Sequence, residues 1–253
     1  MKKADILKQR KLHRGDPEEL ALDFLLNYSA PARLMHSFLP PRQGKEDILQ
    51  AAMRAYIIGI AACTETFFRD LYLYMLKLDP GSVPRALAQN GLRESPRNMP
   101  QYIADGLSAE EFASAQVSFQ SAEAIDRNFS IFFSAKPFLE TLDDFELVCA
   151  IPSAQHRGPA QLKLSPGWQS DLARVFSLRH EFAHDANSKT QIEANEMRRI
   201  ETTVLVLCQI TTHLSGIKLK VIRSDGYYPA ILLISDLISE DWEVAEDVTI
   251  SET

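Results

Sequence analysis

Apolar residues recur every three or four positions along most of the chain, a spacing that predicts a mainly α protein. The longest such pattern runs from about Lys45 to Leu78, and inside it the ten residues from Ala55 to Thr64 carry no formal charge. A helix that is apolar on nearly every side is buried on nearly every side, so we expect it to be the central helix of a bundle. Asp79-Pro80-Gly81 should end it.

Capping residues set the limits of the other helices in the first half of the chain. Asp16-Pro17 combines an N-cap residue with a proline at the first helical position, which predicts a helix over residues 16–28. Ser108-Ala109-Glu110-Glu111 is a capping box and predicts a helix over residues 108–125. The aromatic run 129–138 is of undetermined form.

The second half of the chain mixes turn residues with two further helical patterns. We expect a strand at 145–151 and a loop at 155–167. A helix should follow from Gly167 to about Asn187, and a last helix from about Thr190 to Ser215 that ends at Gly216. After it we expect strand-like alternation at 217–222, and a strand or a helix at 228–237.

The size and composition of the chain fit one elaborated globular domain. It has 253 residues, of which 45% are hydrophobic and 24% charged, values that are ordinary for a folded protein with a substantial core. We therefore expect a single domain. Its helical core would comprise about 45–78 and 167–216, with an irregular insertion at about 79–166 and a small extension at 217–253.

The charge of the chain is uneven. The net charge is −7, yet residues 1–15 hold six basic side chains and one acidic one, and the chain from Ser224 onward holds eight acidic side chains and no lysine or arginine. An acidic total argues against non-specific binding of duplex nucleic acid over the whole surface. A local cationic cleft can still hold a phosphate.

The cysteines and the N-terminal residues indicate the cellular compartment. Cys63, Cys149 and Cys208 are isolated, odd in number and set among apolar residues, so we expect reduced, buried thiols. No run of about 18 apolar residues occurs, and the basic opening Met1-Lys2-Lys3 lacks the apolar core of a signal peptide. We expect a cytoplasmic protein with no membrane association.

The helix expected at 167–187 carries the candidate chemistry. On a helical wheel Arg179 lies at the centre of the core-facing arc, where an unpaired charge would cost several kcal/mol, so a carboxylate or phosphate should lie beside it. His180 and His184 lie at the border of that arc. The predicted core-facing residues are Leu172, Val175, Phe176, Leu178, Phe182 and Ala183, and the predicted solvent-facing ones are Arg174, Glu181 and Asp185.

Residues 178–185, Leu-Arg-His-Glu-Phe-Ala-His-Asp, resemble the signature of the HEPN superfamily of helical nucleases and nucleotide-binding proteins. In that family an arginine is followed by a polar residue, a few further residues and a histidine. Residues 61–71, with Glu65 among apolar side chains, resemble the family's early helix. The resemblance implies a four-helix core that dimerises with the motif helices facing each other, and metal-independent RNA cleavage without a cofactor.

The residue types are suited to that reaction. His184 can take a proton from a ribose 2′-hydroxyl or give one to the leaving oxygen, because imidazole changes charge near neutral pH. Arg179 can hold the scissile phosphate and stabilise its additional charge. His180 is a candidate second proton donor or phosphate ligand, so Arg179 and His180 are the expected RNA contacts. Glu65 is the candidate anchor of Arg179, although it could instead pair with Arg69 at the next turn.

Two other interpretations fit the same residues. His180-Glu181-x-x-His184 matches the signature of a zinc peptidase, with Glu193, Glu196 or Glu201 as a possible third ligand. Only one doubtful strand precedes it, and the adjacent Arg179 disfavours a dication. The other interpretation is a non-cleaving HEPN-like module that binds RNA or a nucleotide.

The sequence therefore favours a HEPN-like endoribonuclease that acts as a homodimer. The catalytic candidates are Arg179, His184, His180 and Glu65, with no metal. The resemblance further implies a toxin or antiviral defence role, which would add an antitoxin or a sensor protein as a partner.

Overall fold

The computed structural model describes most of the chain between Pro17 and Pro229. The described residues are 17–38, 46–89, 106, 108–133, 135–150, 159–185, 188–221 and 228–229. Within them the protein is mainly helical, as the sequence predicts. The helices are α1 (Pro17–His36), α2 (Glu46–Leu78), α3 (Val83–Gln89), α4 (Ala109–Ala115), α5 (Ala122–Phe129), α6 (Phe138–Asp143), α7 (Trp168–His184) and α8 (Ala194–Lys218).

The four long helices α1, α2, α7 and α8 pack into one bundle. Helix α2 contacts α1, α7 and α8, and it also contacts the short helices α4 and α5. Its inward face is buried along the whole length, from Leu49 to Leu76. Its central place in the bundle is thus confirmed, but Ala55, Ile58 and Ala62 on its outer face are exposed, so the expected burial on nearly every side is wrong. The end at Asp79 is confirmed by the 3₁₀ turn Pro80–Ser82 that follows.

Helix α1 extends further than its sequence predicts and belongs to the bundle. It continues past Tyr28, its expected end, to His36, because Ala32 and Met35 maintain the apolar spacing and are buried. Pro31 lies inside it and packs against α2 at Gly59, where an added Cβ would lie 3.4 Å from the Cβ of Pro31. Helix α1 thus continues through Pro31 despite the hydrogen bond that a proline cannot donate.

The expected irregular insertion is partly ordered. Residues 83–89 form α3, whose Val83 and Ala86 are buried, so the expectation of an irregular segment is wrong there. Most of the remainder of that segment, 90–105, lies outside the described residues. The capping box at Ser108 is confirmed by both of its hydrogen bonds.

The helix expected over 108–125 is two helices. Helix α4 ends at Ala115, and α5 begins after Ser121, whose hydroxyl accepts from the Ala124 amide. Between them Phe119 is fully buried, and the Asn128 side chain donates to the Ser118 carbonyl at 2.9 Å. The burial of Phe119 and this hydrogen bond hold the connection in a non-helical form.

The aromatic run 129–138 spans the end of α5, a turn and the start of α6. Its rings surround Tyr72 of α2, with edge-on contacts to Phe129 and Phe132 at centroid distances of 5.8 and 5.5 Å. Phe138 stacks on Phe129 at 4.8 Å. This cluster fastens the α5–α6 region to the central helix.

A small sheet of strand order β2-β1-β3 adjoins the bundle. Strand β1 (Leu147–Ala150) confirms the strand expected at 145–151 within the described residues. Strand β2 (Pro159–Leu162) pairs with it antiparallel and lies where a loop was expected, so that expectation is wrong there. Strand β3 (Tyr228–Pro229) runs parallel to β1, and residues 230–237 lie outside the described chain.

Helices α7 and α8 occur where the sequence predicts them, with shifted ends. Helix α8 passes through Gly216 to Lys218, so the expected end at Gly216 and the strand-like alternation at 217–222 are wrong as far as the described residues extend. The chain leaves it through Lys220, which has a positive φ of 60°. Helix α8 is apolar and long enough to cross a membrane, but 89% of its most apolar window is buried inside the protein, as in a core helix.

Candidate active site

Helix α7 is held at its start by contacts with α6. Gly167 precedes it with a φ of 86°, a conformation that strains any residue with a Cβ. The Trp168 indole N–H donates to the Asp143 carboxylate at 2.5 Å, and the Gln169 amide donates to its other oxygen at 3.0 Å. These two bonds fix the direction in which α7 leaves the loop, and with it the position of its functional residues.

The buried face of α7 is close to the prediction. Leu172, Val175 and Leu178 are fully buried, and Phe176 is nearly so. Ala183, expected in the core, is exposed, so that expectation is wrong. Phe182 is half-buried.

Arg179 points toward the central helix and forms the ion pair that the wheel predicts. Its Nη2 atom lies 3.6 Å from Oε1 of Glu65 on α2, with 29% of the arginine side chain and 10% of the glutamate side chain exposed. The other oxygen of Glu65, Oε2, accepts from the Gln120 amide at 3.2 Å. Oε1 is buried and receives no hydrogen bond in the described structure, and Nη2 of Arg179 lies 3.6 Å from it.

His180 and His184 lie side by side on the exposed flank of α7. Their ring centroids are 4.7 Å apart, with the ring planes tilted by 53°. Both side chains are exposed. Two imidazoles so close together can share a proton, or bind one phosphate from adjacent positions.

Arg179 and His184 do not converge within one chain. Five residues along an α-helix correspond to a rotation of about 140° about its axis. Arg179 therefore faces Glu65 in a half-buried position, whereas His184 faces solvent. On one face of α7, Arg179 pairs with Glu65 of α2, and on a neighbouring face His180 pairs with His184.

Glu181 has a structural role that sequence analysis missed. Expected on the solvent face, it is half-buried and accepts hydrogen bonds from the hydroxyls of Ser188 and Thr190 in the α7–α8 connection, the latter at 2.5 Å. These hydrogen bonds lower the pKa of the Glu181 carboxyl, since they favour its charged form. Glu181 therefore ties the connection back onto the end of α7.

The same connection is fastened to α2 by Gln50 and Arg54. The Gln50 side-chain amide donates to the Ile192 carbonyl at 2.8 Å and accepts from the Ile192 amide at 2.9 Å. Arg54 donates to the Thr190 carbonyl at 3.1 Å and stands over the Phe182 ring at 5.5 Å. Gln50 and Arg54 are polar residues one turn apart on an otherwise apolar helix, and this spacing was the signal in the sequence that could have indicated their contacts with the α7–α8 connection.

Among the described residues, none of the three glutamates expected as a third zinc ligand is placed beside His180 and His184. Glu196 is paired with Arg174 at 2.9 Å, and Glu201 is buried in a different part of the bundle. Glu193 is exposed at the start of α8. Glu181 is engaged by two hydroxyls, and no group of three His, Cys, Asp or Glu side chains in the described parts of the chain is placed to hold a metal ion.

Glu201 forms a second polar group that sequence analysis did not identify. The Tyr56 hydroxyl donates to its Oε1, and His36 Nε2 lies 3.2 Å from the same oxygen. These residues belong to α8, α2 and α1 respectively, so one buried carboxylate joins three helices of the bundle. Burial raises the pKa of the Tyr56 hydroxyl well above its ordinary value.

Comparison with known proteins gives no relative for this arrangement. No protein-family model matches the chain, and no curated protein and no solved structure matches it. A function for the site is therefore inferred from its own residues, their geometry and their chemistry.

Proposed function

We propose that the protein is a metal-independent, HEPN-like endoribonuclease that acts as a homodimer. One observation carries the proposal, namely the state of Arg179. Its guanidinium is partly exposed, and its partner Glu65 lies at 3.6 Å, which is longer than a hydrogen bond. A phosphate that binds Arg179 in two hydrogen bonds would compete with so loose a contact.

The exposed imidazoles supply the second part of the proposal. In the proposed reaction a ribose 2′-oxygen bonds to the adjacent phosphorus while the bond from phosphorus to the 5′-oxygen breaks. His184 takes the 2′ proton or protonates the 5′-oxygen, and His180 or an imidazole of the second copy performs the other transfer. Arg179 stabilises the extra negative charge on phosphorus-bound oxygen. The products are a 2′,3′-cyclic phosphate and a 5′-hydroxyl.

The second copy is needed because one copy separates its two functional pairs. Arg179 of one chain would act with His184 of the other at a shared cleft. The proposed physiological role is that of a cytoplasmic toxin or antiviral effector. A nuclease that damages the RNA of its own cell must be restrained, which would require an antitoxin or a sensor protein as a partner.

The proposal is tested by incubating the purified protein with total RNA in EDTA and sequencing the new ends. We expect cyclic phosphate ends on RNA and no cleavage of DNA. His184→Ala should abolish cleavage, and Arg179→Ala should lower it by at least about 10²-fold, the scale for one transition-state charge contact. Ser177→Ala, at an exposed position of the same helix, is the matched control and should cut normally. Loss of wild-type activity on chelation would contradict the proposal.

A second candidate function is a non-cleaving module that binds RNA or a nucleotide. It is favoured by the rotation of about 140° between Arg179 and His184, which leaves a single copy with a phosphate ligand but without a nearby base. If wild-type protein binds RNA without cutting it, and Arg179→Ala weakens that binding, this second function is the correct one.

A further inference from the structure

A third side chain, that of Gln120, reaches the Arg179–Glu65 pair from the connection between α4 and α5. Its amide nitrogen donates to Oε2 of Glu65 at 3.2 Å, while Nη2 of Arg179 lies 3.6 Å from Oε1 of the same carboxylate. The carboxylate is buried, whereas Gln120 is exposed and 29% of the Arg179 side chain is exposed. A guanidinium and an amide therefore lie side by side at the surface, on the two oxygens of one buried carboxylate.

The backbone is anchored on both sides of Gln120. Phe119 is fully buried, and its ring packs edge-on against Tyr72 of α2 at a centroid distance of 5.5 Å. On the other side Ser121 caps α5, and its hydroxyl accepts from the Ala124 amide at 3.1 Å. The position of Gln120 beside α2 is thus set by its neighbours. A side chain held in this way loses less conformational entropy when it binds a ligand.

The hydrogen bond to Glu65 also determines which way round the amide of Gln120 lies. A carboxylate accepts hydrogen bonds and does not donate them, so the amide nitrogen faces Glu65 and the amide oxygen points away from it. The nitrogen carries two N–H groups, and one of them serves Glu65. Among the described residues the remainder of this amide bonds to no other group. One acceptor and one donor, side by side, are therefore available to a ligand.

We propose that Gln120 recognises an adenine base of the RNA whose phosphate binds Arg179, an inference that rests on the proposed function. A glutamine amide binds adenine in two hydrogen bonds, because its oxygen accepts from the N6 amino group and its N–H donates to N7. Guanine and uracil carry a keto oxygen in place of this amino group, and the negative charge of Glu65 disfavours it. The base and the phosphate of a nucleotide are separated by one ribose, so two neighbouring side chains can contact both.

Arg179 and Gln120 then have different effects on RNA binding. Every nucleotide has a phosphate, so the contact with Arg179 contributes affinity without regard to sequence. The contact with Gln120 contributes only where the base offers the matching donor and acceptor, as unstacked bases of single-stranded RNA do. Loss of Arg179 should weaken all RNAs by a similar factor, whereas loss of Gln120 should weaken mainly those with adenine at the site.

Binding of short oligonucleotides tests the assignment independently of cleavage. The probes are 2′-O-methyl hexamers of adenine, cytosine or uracil, and the measurement is fluorescence anisotropy. Wild-type protein should bind the adenine hexamer at least about fivefold more tightly than the other two, the lower limit for one bidentate base contact. Gln120→Met, which keeps the length of the side chain and removes its polar groups, should lose this preference. Replacing adenine by 7-deazaadenine, which lacks N7, should weaken binding to wild type and not to Gln120→Met.

Gln169→Ala is the matched control. Gln169 is also exposed and also donates to a carboxylate, that of Asp143 at 3.0 Å, but it lies near the start of α7 and away from Arg179. This variant should keep the wild-type preference for adenine, whatever its overall affinity. A purely structural role of Gln120 would change the affinity for all hexamers by the same factor and leave the preference intact. That result, or a wild-type preference for a base other than adenine, overturns the proposal.

The outcomes separate this inference from the proposed function. RNA that is bound with a preference for adenine that depends on Gln120, but is never cut, supports the inference and excludes the ribonuclease. RNA that is cut without a preference for adenine beside the cleaved bond, or with one that Gln120→Met retains, supports the proposed function and overturns the inference. Protein that neither binds nor cuts RNA overturns both.

Discussion

Nη2 of Arg179 on α7 lies 3.6 Å from Oε1 of Glu65 on the central helix, joining the two segments whose residues carry the candidate chemistry. The guanidinium is thereby held at the edge of the core, where about a third of the side chain is exposed. Because the contact is partly solvated, its contribution to stability is smaller than that of a fully buried pair. Its more important effect is on what Arg179 can bind.

Glu65→Gln should release Arg179 for an anionic ligand. The variant keeps the shape of the side chain but removes the carboxylate that competes with phosphate, so affinity for a non-cleavable RNA should rise several-fold at low salt. The measurement is fluorescence anisotropy with a 2′-O-methyl oligonucleotide. Thr66→Ala, at the adjacent exposed position, is the control. Weaker RNA binding by Glu65→Gln would mean that the glutamate positions Arg179 for the ligand.

Gln50→Ala should loosen the connection between α7 and α8. The substitution removes two hydrogen bonds to the Ile192 backbone, which corresponds to a loss of about 1–3 kcal/mol in the free energy of unfolding. Hydrogen exchange should accelerate at 188–193 and at the last turn of α7, and much less in α1. Gln191→Ala, an exposed residue of the connection, should behave like wild type. Unchanged exchange in Gln50→Ala would show that Glu181 and Arg54 suffice to hold the connection.

His213→Gln should make the protein less sensitive to mild acid. Burial in α8 lowers the pKa of His213 from 6.5 to about 4, because desolvation disfavours the charged ring. Between these values the unfolded chain binds more protons than the folded one, so stability falls as pH falls from about 6.5 towards 4. The loss attributable to His213 is on the order of 3 kcal/mol.

Urea unfolding of His213→Gln and wild type at pH 7 and at pH 4.5 measures this effect. The difference between the two pH values should be smaller in His213→Gln than in wild type, whereas His180→Gln, at an exposed histidine, should retain the wild-type difference. Equal pH dependence of all three proteins would indicate that the site around His213 is hydrated.

The sequence predicted those parts of the fold in which local pattern and tertiary packing agree. The charge-free stretch of α2 predicted the central helix, although one of its faces is exposed. A guanidinium on the apolar arc of α7 predicted an opposite charge beside it. Both features follow from the free-energy cost of burying a charged group without a partner, which is large whichever apolar side chains surround the group. An anionic partner for Arg179 was therefore predictable, and Glu65 was a candidate because it lies among apolar residues in the segment that resembles the family's early helix.

The parts that were not predicted depend on partners distant in the chain. Helix α1 continues through Pro31 because Ala32 and Met35 are buried in the bundle, and the break between α4 and α5 follows from the burial of Phe119. Gln50 has no local reason to bind Ile192, which is 142 residues away. The environment of His184 depends on where the last turn of α7 lies relative to α2, and the periodicity of α7 alone does not specify it.

The rotation of about 140° between Arg179 and His184 on α7 has a consequence for the proposed chemistry in the cell. A monomer would lack a complete cleavage site. At low abundance the rate of RNA cleavage would therefore grow with the square of the protein concentration. Expression level would then act as a threshold, and small quantities of newly made polypeptide would leave the host's transcripts intact.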